Sequence, residues 1–410
     1  MVKVLFVHQN FPGQFRHLAP ALAARGHQVV ALTAEANSQN TRIRTFRYPM
    51  PDPAPDPELS RLGTTYTAMT DRAHRVARAA IQLRDRMGFT PDVVFGHSGW
   101  GETLFLREVW PEARLLVYAE FYYATRGLDV GFDPEFSRTD PATGFAVTAR
   151  QAHLALAMVQ ADAALSPTEW QADTFPPCFR DKITITHDGV DTDRLVPDPA
   201  ASFTLPDGRV LRAGDEVLTY VARNLEPYRG THIFLRALPE LLAARPEAQV
   251  LIIGGDGVSY GAAPPQGTWR AQFQRELGAR LDPARVHFLG RLPYEDYCRV
   301  IRIGRAHAYL TIPFVLSWSM LEAMSMGACV IASRTGPVEE VIADGANGRL
   351  VDFFDTDAWS EALIAALADP QGHAAMRRAA RASIVENYDL KRLCLPRLIR
   401  FVETRTAGNL

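Results

Sequence analysis

Short runs of β-branched and aliphatic residues alternate with stretches whose apolar positions recur every three or four residues. That alternation predicts an α/β chain with parallel sheet. VKVLFV (2–7) reads as a buried strand. HQNFPG follows as a loop, and Phe15, Leu18 and Leu22 then fall at helical spacing with Gly26 in the stop position. Pro20 is expected to kink that helix or delay its start. QVVALT (28–33), DVVFGH (92–97), RLLVYAE (114–120), ADAALS (161–166) and KITITH (182–187) read as further strands. Between them lie a proline-rich loop at 49–57 and a long helix over 67–87. Val76, Ala80, Leu83 and Met87 share one face of that helix; Arg72, Arg75, Arg78, Arg84 and Arg86 share another.

A stretch carrying Pro197, Pro199, Pro206, Gly208 and Gly214 interrupts the pattern and reads as a linker. The pattern then restarts. EVLTYVA (216–222), QVLIIGG (249–255), RVHFLG (285–290), AHAYLT (306–311), ACVIAS (328–333) and GRLVDF (348–353) are strands, with a helix between the first two that Pro239 should bend. The expectation is two Rossmann-like, doubly wound domains facing a cleft, since ligands of open α/β sheets bind at the carboxyl ends of the strands.

Composition narrows the function classes. With 47% hydrophobic and 22% charged residues among 410, the chain is globular rather than disordered, collagen-like or coiled-coil. Lys+Arg total 44 against 46 Asp+Glu, a balance that argues against a general nucleic-acid binder. No apolar run approaches the ~18–20 residues of a membrane span, and the N-terminal run is too short for a signal-peptide core. Cys178, Cys298, Cys329 and Cys394 are scattered, which suggests neither a disulfide framework nor a zinc site. A cytoplasmic protein is expected. The arginine face of helix 67–87 could touch anionic headgroups at the inner face of a membrane, but Asp71 and Asp85 dilute it and a solvated face is the plainer reading.

The segment with most chemical content is PFVLSWSMLEAMSMGACVIASRTGPVEEVI (313–342). A strand ends near Thr311, and Ser317 or Ser319 can cap the helix that follows. Gly327 is placed to stop that helix. Its N-terminus suits an anion, and the Glu322 carboxylate, one turn in, can accept from two neighbouring hydroxyls, as on a ribose. A surface helix with a dipole-compensating glutamate fits the spacing equally.

LSWSMLEAMSMGACVIAS, GPVEEVI and NGRLVDF resemble the C-terminal signature of GT-B glycosyltransferases, specifically glycosyltransferase family four. YVARNLEPYRGTHIFLRAL (220–238) is similar to the family's strand–Arg–loop–Lys–Gly–helix element, with Arg223 on the family arginine and Arg229 in place of its lysine. The resemblance implies a metal-independent, retaining enzyme that needs no cofactor and uses a UDP- or GDP-sugar. The donor would lie on the C-terminal domain: Glu322 on the ribose, the main chain at Leu316, Ser317 and Trp318 on the diphosphate or sugar, and Gly290 and Arg291 beside them. Arg223 and Arg229 would stabilise the departing diphosphate. It divides the chain into an acceptor domain (1–190), a linker (191–215), a donor domain (216–385) and a final helix (386–410) returning to the first domain.

HQNFPGQFRHLAPALAARGHQVVALT resembles the family's first strand, glycine loop and helix, which places Gly13 on the acceptor side. Two departures stand out. The family usually has a glutamate eight positions before Glu322; here that position is Phe314. Glu120 stands about where many members have a histidine, and could orient a hydroxyl, act as a base or be a structural carboxylate. The strings GHSGWGETLFL and YAEFYYATRGLDVGFDPEF mark a subgroup with its own acceptor side. His97, Trp100, Glu102, Tyr122, Tyr123, Asp129 and Asp133 could line such a pocket. Acceptor sugar, lipid-linked glycan and protein all stay open as acceptors. So do a sugar-nucleotide epimerase and a degenerate protein that binds nucleotide sugar without turnover.

Asp191-Thr192-Asp193 and Asp355-Thr356-Asp357 spell D-x-D, a weak metal signal. Gly255, Gly257 and Gly261 miss the dinucleotide fingerprint by one residue, and no P-loop or G-x-S-x-G elbow occurs.

Overall fold

A computed structural model describes residues 1–50, 62–137 and 139–404. Most of the expected loop 49–57 lies outside the described residues. The chain divides into two compact units. The first comprises residues 1–130, 138–189 and the chain from 390 onward; the second comprises Gly131–Ser137 and Val190–Asp389.

The first unit is built on seven parallel strands, β1 (Lys3–Val7), β2 (Gln28–Ala34), β3 (Arg44–Tyr48), β4 (Val93–His97), β5 (Arg114–Tyr118), β6 (Ala163–Ser166) and β7 (Ile183–Ile185). Their order is β3-β2-β1-β4-β5-β6-β7, so the winding reverses between β1 and β4. Leu5 pairs with Val30 on one side and Val94 on the other. Both faces of these strands are covered, which is why they read as continuous apolar runs rather than alternating ones. Phe6, Phe15 and Phe95 pack on one face with Leu398 and Phe401 of the last helix (Leu395–Glu403). Val76, Ala80 and Leu83 of the helix Thr64–Met87 cover the other. The first crossover helix begins only at Leu18, with Phe15 in a 3-10 turn before it, so Pro20 sits in the opening turn, where a missing N–H is tolerated.

The second unit opens with an antiparallel pair, β8 (Ser202–Thr204) and β9 (Val210–Arg212), so the stretch expected as a linker (191–215) lies inside this unit. Six parallel strands follow: β10 (Val217–Asn224), β11 (Gln249–Gly255), β12 (Val286–Gly290), β13 (Ala306–Tyr309), β14 (Cys329–Ser333) and β15 (Arg349–Val351). The order β12-β11-β10-β13-β14-β15 reverses between β10 and β13. Gly131–Ser137 also packs here: Asp133 lies 3.0 Å from His232, Glu135 pairs with Arg236 at 2.7 Å, and the Phe136 ring meets His232 and Trp269.

Among the described residues no helix is long and apolar enough to cross a membrane, and no group of three or more His, Cys, Asp or Glu could hold a metal ion. Asp355 caps the helix Thr356–Ala368 through the Ala358 N–H.

Candidate functional site

In the second unit the carboxyl ends of β10 and β13 lie side by side, and the chain leaves them toward opposite edges of the sheet. Such a reversal opens a crevice suited to a ligand. Arg223, next to last in β10, is exposed and makes no hydrogen bond or ion pair with another described residue. Asn224 is buried and bridges two neighbours: its amide donates to Ser259 Oγ at 2.7 Å, and its carbonyl oxygen accepts from Arg291 at 3.0 Å. A Cβ on Gly255 would stand 2.6 Å from that oxygen and 2.7 Å from Arg291 Nε, so a larger residue there would displace this pair. Gly290 ends β12 beside Arg291.

Glu226, 0% exposed, accepts the N–H groups of Ser259, Tyr260 and Gly261 at 3.1–3.3 Å and so pins the loop after β11. Arg229 is 6% exposed; it donates to Thr311 Oγ1 at 2.8 Å and to the Val315 carbonyl at 3.0 Å, with its guanidinium 5.5 Å over the Tyr260 ring. It holds the loop leading into the glutamate helix. Phe314, in that loop, is buried between Tyr228 and Tyr260, with ring centroids 5.5 and 5.0 Å away.

The helix runs Trp318–Ser325 and is capped by Ser317, whose Oγ accepts from the Ser319 N–H. The Ser317 N–H donates to the Tyr309 hydroxyl at 2.8 Å. Leu316 points its side chain into the core, leaving its main chain to act, while Ser317 and Trp318 are half-buried. Glu322, 6% exposed, accepts the Tyr294 hydroxyl on Oε1 and the Tyr297 hydroxyl on Oε2, both at 2.8 Å. Burial and the adjacent carboxylate push the Tyr297 hydroxyl well above the usual tyrosine range, so it stays a donor.

In the first unit the corresponding edge carries histidines. His97 ends β4, takes the Gly99 N–H on Nδ1 at 3.0 Å and puts Nε2 3.5 Å from Glu120 Oε2, an ion-pair rather than a hydrogen-bond distance. Glu120 keeps 30% of its side chain exposed and accepts from Gln14 at 3.0 Å. Burial pushes the Glu120 carboxyl up, but His97, Gln14 and His8 together bring it below its ordinary value, so it is ionised at neutral pH. His8 faces His97 edge-on at 5.8 Å; burial first, and His97 second, lower its pKa to about 3. Gly13 has φ +46°, and a Cβ there would stand 2.8 Å from the His8 ring.

Trp100 is exposed, its ring 6.0 Å from His97. Tyr122 is buried in a separate apolar cluster with Leu154, Met158 and Phe175. Glu102 is fully buried against the Tyr48 hydroxyl and so lines no open surface. The Tyr123 hydroxyl accepts from Arg150, Asp129 is buried, and Asp133 falls in the second unit.

Sequence reasoning singled out Arg223, Arg229, Glu322, Gly290 and Arg291, which the fold gathers along one edge of the second sheet. It passed over Asn224, Glu226, Tyr260, Tyr294 and Tyr297. The Tyr294-x-x-Tyr297 spacing, one face of a helix, was a readable signal for the last two.

Two family models match: a glycosyl transferase family 4 group over residues 25–195 and glycosyl transferases group 1 over 206–383. Both halves of the chain thus match glycosyltransferase models, which supports a glycosyltransferase of family-four type. A GDP-mannose-dependent alpha-(1-6)-phosphatidylinositol monomannoside mannosyltransferase of Mycolicibacterium smegmatis is 30% identical over 234 residues, 56% of this chain and 59% of that protein. The chain thus spans little more than half the length of this relative. Sucrose-phosphate synthase from Thermosynechococcus elongatus superposes with a TM-score of 0.70 at 17% identity, covering 97% of both chains. Anabaena HepE in complex with UDP and glucose gives 0.64 at 16% identity, covering 98% of both. These two likenesses establish the GT-B fold for the chain.

Proposed function

We propose that the chain moves a sugar from a nucleoside-diphosphate donor bound by the second unit to an acceptor bound by the first, with retention of anomeric configuration and without a metal ion. The observation that carries this reading is the β10/β13 edge, where an unpaired arginine and a carboxylate fixed on both oxygens stand at one reversal of the sheet. Arg223 would meet the diphosphate, with the loop held by Arg229, the Leu316–Trp318 main chain, Gly290 and Arg291 beside it. Glu322 would take the ribose. Fixed cations and backbone N–H groups can stabilise a leaving diphosphate unaided.

On the acceptor side, Glu120 and His97 would orient the attacking hydroxyl, with Gly13 and Trp100 at the rim. Tyr122 would contribute through its backbone, because its side chain is committed to the core. GDP-mannose is the first donor to try, because the M. smegmatis relative is named for it; a UDP-sugar is the second, because the HepE structure holds UDP. The same relative makes a lipid-linked glycan the first acceptor class, ahead of a free sugar or a protein. An anionic lipid of that kind suits the arginine face of Thr64–Met87 and a cytoplasmic protein peripheral to the inner leaflet. Phe314 in its aromatic seat favours one second reading, a protein that binds nucleotide sugar without turnover.

Titration calorimetry with GDP, UDP, ADP and CMP in EDTA tests the donor site. One diphosphate should bind with EDTA present, and binding should weaken by about a hundredfold or more in Glu322→Ala. Silence across all four would sink the donor reading. Binding without transfer to phosphatidylinositol monomannoside or simpler acceptors would move the balance to the second reading.

A further inference from the structure

We infer that Tyr294 and Tyr297 are positioning residues that aim the Glu322 carboxylate at a pair of vicinal hydroxyls, making the second unit discriminate ribo- from deoxyribonucleoside diphosphates. This rests on the reading of Glu322 as the ribose ligand.

The helix Tyr294–Ile303 begins four residues past the end of β12, on the edge of the sheet that carries Arg223. Its first and fourth residues are the two tyrosines, which share a face and lie with ring centroids 5.6 Å apart. One hydroxyl reaches each oxygen of Glu322 at the same distance, 2.8 Å, so the plane of the carboxylate is set from both sides. A glutamate side chain is rotamer-rich, and ordering it on binding costs entropy that prior ordering avoids. Both tyrosine hydroxyls donate to the carboxylate, and a further hydroxyl donated to an ionised carboxylate makes a charge-assisted bond. A carboxylate has about four acceptor sites, so an oxygen that takes one tyrosine proton can take a ribose proton as well.

The clamp is itself braced. Tyr297 is buried. Tyr294 is more open, and the Arg194 guanidinium lies 5.0 Å over its ring while pairing with Glu295. The apolar rest of each ring supplies stiffness and the hydroxyl supplies direction. Phenylalanine therefore removes the aiming without removing the packing.

Calorimetry with GDP and 2′-deoxy-GDP tests this, with UDP and 2′-deoxy-UDP as the alternative pair. Native protein should bind the ribonucleotide about tenfold or more tightly, the scale of one charge-assisted hydrogen bond. In Tyr294→Phe/Tyr297→Phe that ratio should collapse toward one, while affinity for the deoxynucleotide shifts less than about twofold. The unchanged deoxynucleotide affinity is the readout that a structural role would not give, because a collapsed site weakens both ligands alike. Should the double variant fold poorly, Tyr294→Phe alone, at the more open position, should lose part of the ratio, and combined with Glu322→Gln should lose no more than Glu322→Gln alone. A double variant that keeps the native ratio, an equal weakening of both ligands, or a native protein that does not discriminate overturns the inference. If Glu322→Ala itself keeps the ratio, the ribose assignment of Glu322 is what fails. If neither GDP nor UDP binds, the donor reading falls and this inference with it.

Discussion

Both units gather polar side chains at the carboxyl ends of parallel strands, at the point where the strand order reverses, yet they settle those side chains differently. In the first unit the groups answer one another. His97 faces Glu120, Gln14 holds the other oxygen of Glu120, and His8 turns its Nδ1 to the Asn10 N–H. In the second unit Arg223 is exposed without a hydrogen bond or ion pair to another described residue, and Glu322 takes one tyrosine hydroxyl on each oxygen. A cluster whose polar groups face one another, with His97 Nε2 still lacking a hydrogen-bond partner, suits a neutral, hydroxyl-bearing ligand. An uncancelled cation near an oriented carboxylate suits a ligand that is anionic at one end and a diol at the other. Two sheets of the same kind thus present edges suited to different ligand classes, according to how their edge residues are paired.

The contrast breaks most sharply at the two glutamates. Glu322→Ala should weaken diphosphate binding by about a hundredfold or more, since two hydrogen bonds to a charged group are lost at about 1.5–3 kcal/mol each. Glu120→Ala should leave diphosphate affinity within about twofold and lower kcat/KM for the acceptor instead. Calorimetry and initial rates on the two variants separate these outcomes; a large loss of nucleotide affinity in Glu120→Ala would erase the division of labour between the units.

The two arginines sharpen it within the donor side. Arg229 is buried and ties the Thr311–Val315 loop, so Arg229→Ala leaves a buried hydroxyl and a carbonyl without their donor. A loss of about 2–3 kcal/mol in unfolding free energy should accompany its loss of binding. Arg223 is exposed and unpaired, so Arg223→Ala should leave the denaturation midpoint unchanged and still cost about tenfold in affinity for the diphosphate. Chemical denaturation followed by titration reads both numbers on each variant. Equal effects on stability would show that Arg223 has a structural partner after all.

The sheets were legible because a parallel strand buried on both faces leaves an apolar run that needs no context. Arg223, Arg229 and Glu322 were legible as candidates because each sits in a local string, ARNLEPYRG or LSWSMLEAM, that resembles the family's own. What did not show was pairing across sequence. Glu226 reads as one more acidic residue until the loop at 259–261 folds over it. Phe314 reads as a missing glutamate until Tyr228 and Tyr260 close around it. Asp133 reads as part of the string that carries Glu120, but Gly131–Ser137 is drawn into the second unit by Phe136 and His232. Such placements depend on contacts far apart in the chain, and no local spacing encodes them.

The smallest effect concerns proton balance. Burial holds His8, His153 and His187 of the first unit below their ordinary pKa, to about 3 for His8 and about 4 for His187, and Arg16 adds to the effect at His187. Each binds its proton in the unfolded chain near pH 6.5 but not in the native one, so each contributes stability that is present above pH 6.5 and lost as pH falls. In the second unit His287 and His307 act in the same direction. Glu102 opposes them. Burial raises its carboxyl to about 7, so between pH 7 and 4.5 the native state holds a proton the unfolded state lacks, and stability rises as pH falls. The first unit therefore carries a compensating group for which no counterpart is described in the second. Glu102→Gln removes it, and the stability of the first unit should then fall more steeply from pH 7 to 5, by up to about 1.4 kcal/mol per pH unit, the linkage of one proton. Hydrogen exchange of the β1 and β4 amides against those of β10 and β13 measures the two units separately in the intact chain. A steeper slope confined to β1 and β4 is the expected result, and an unchanged slope there would mean that Glu102 is already ionised in the folded protein at pH 5.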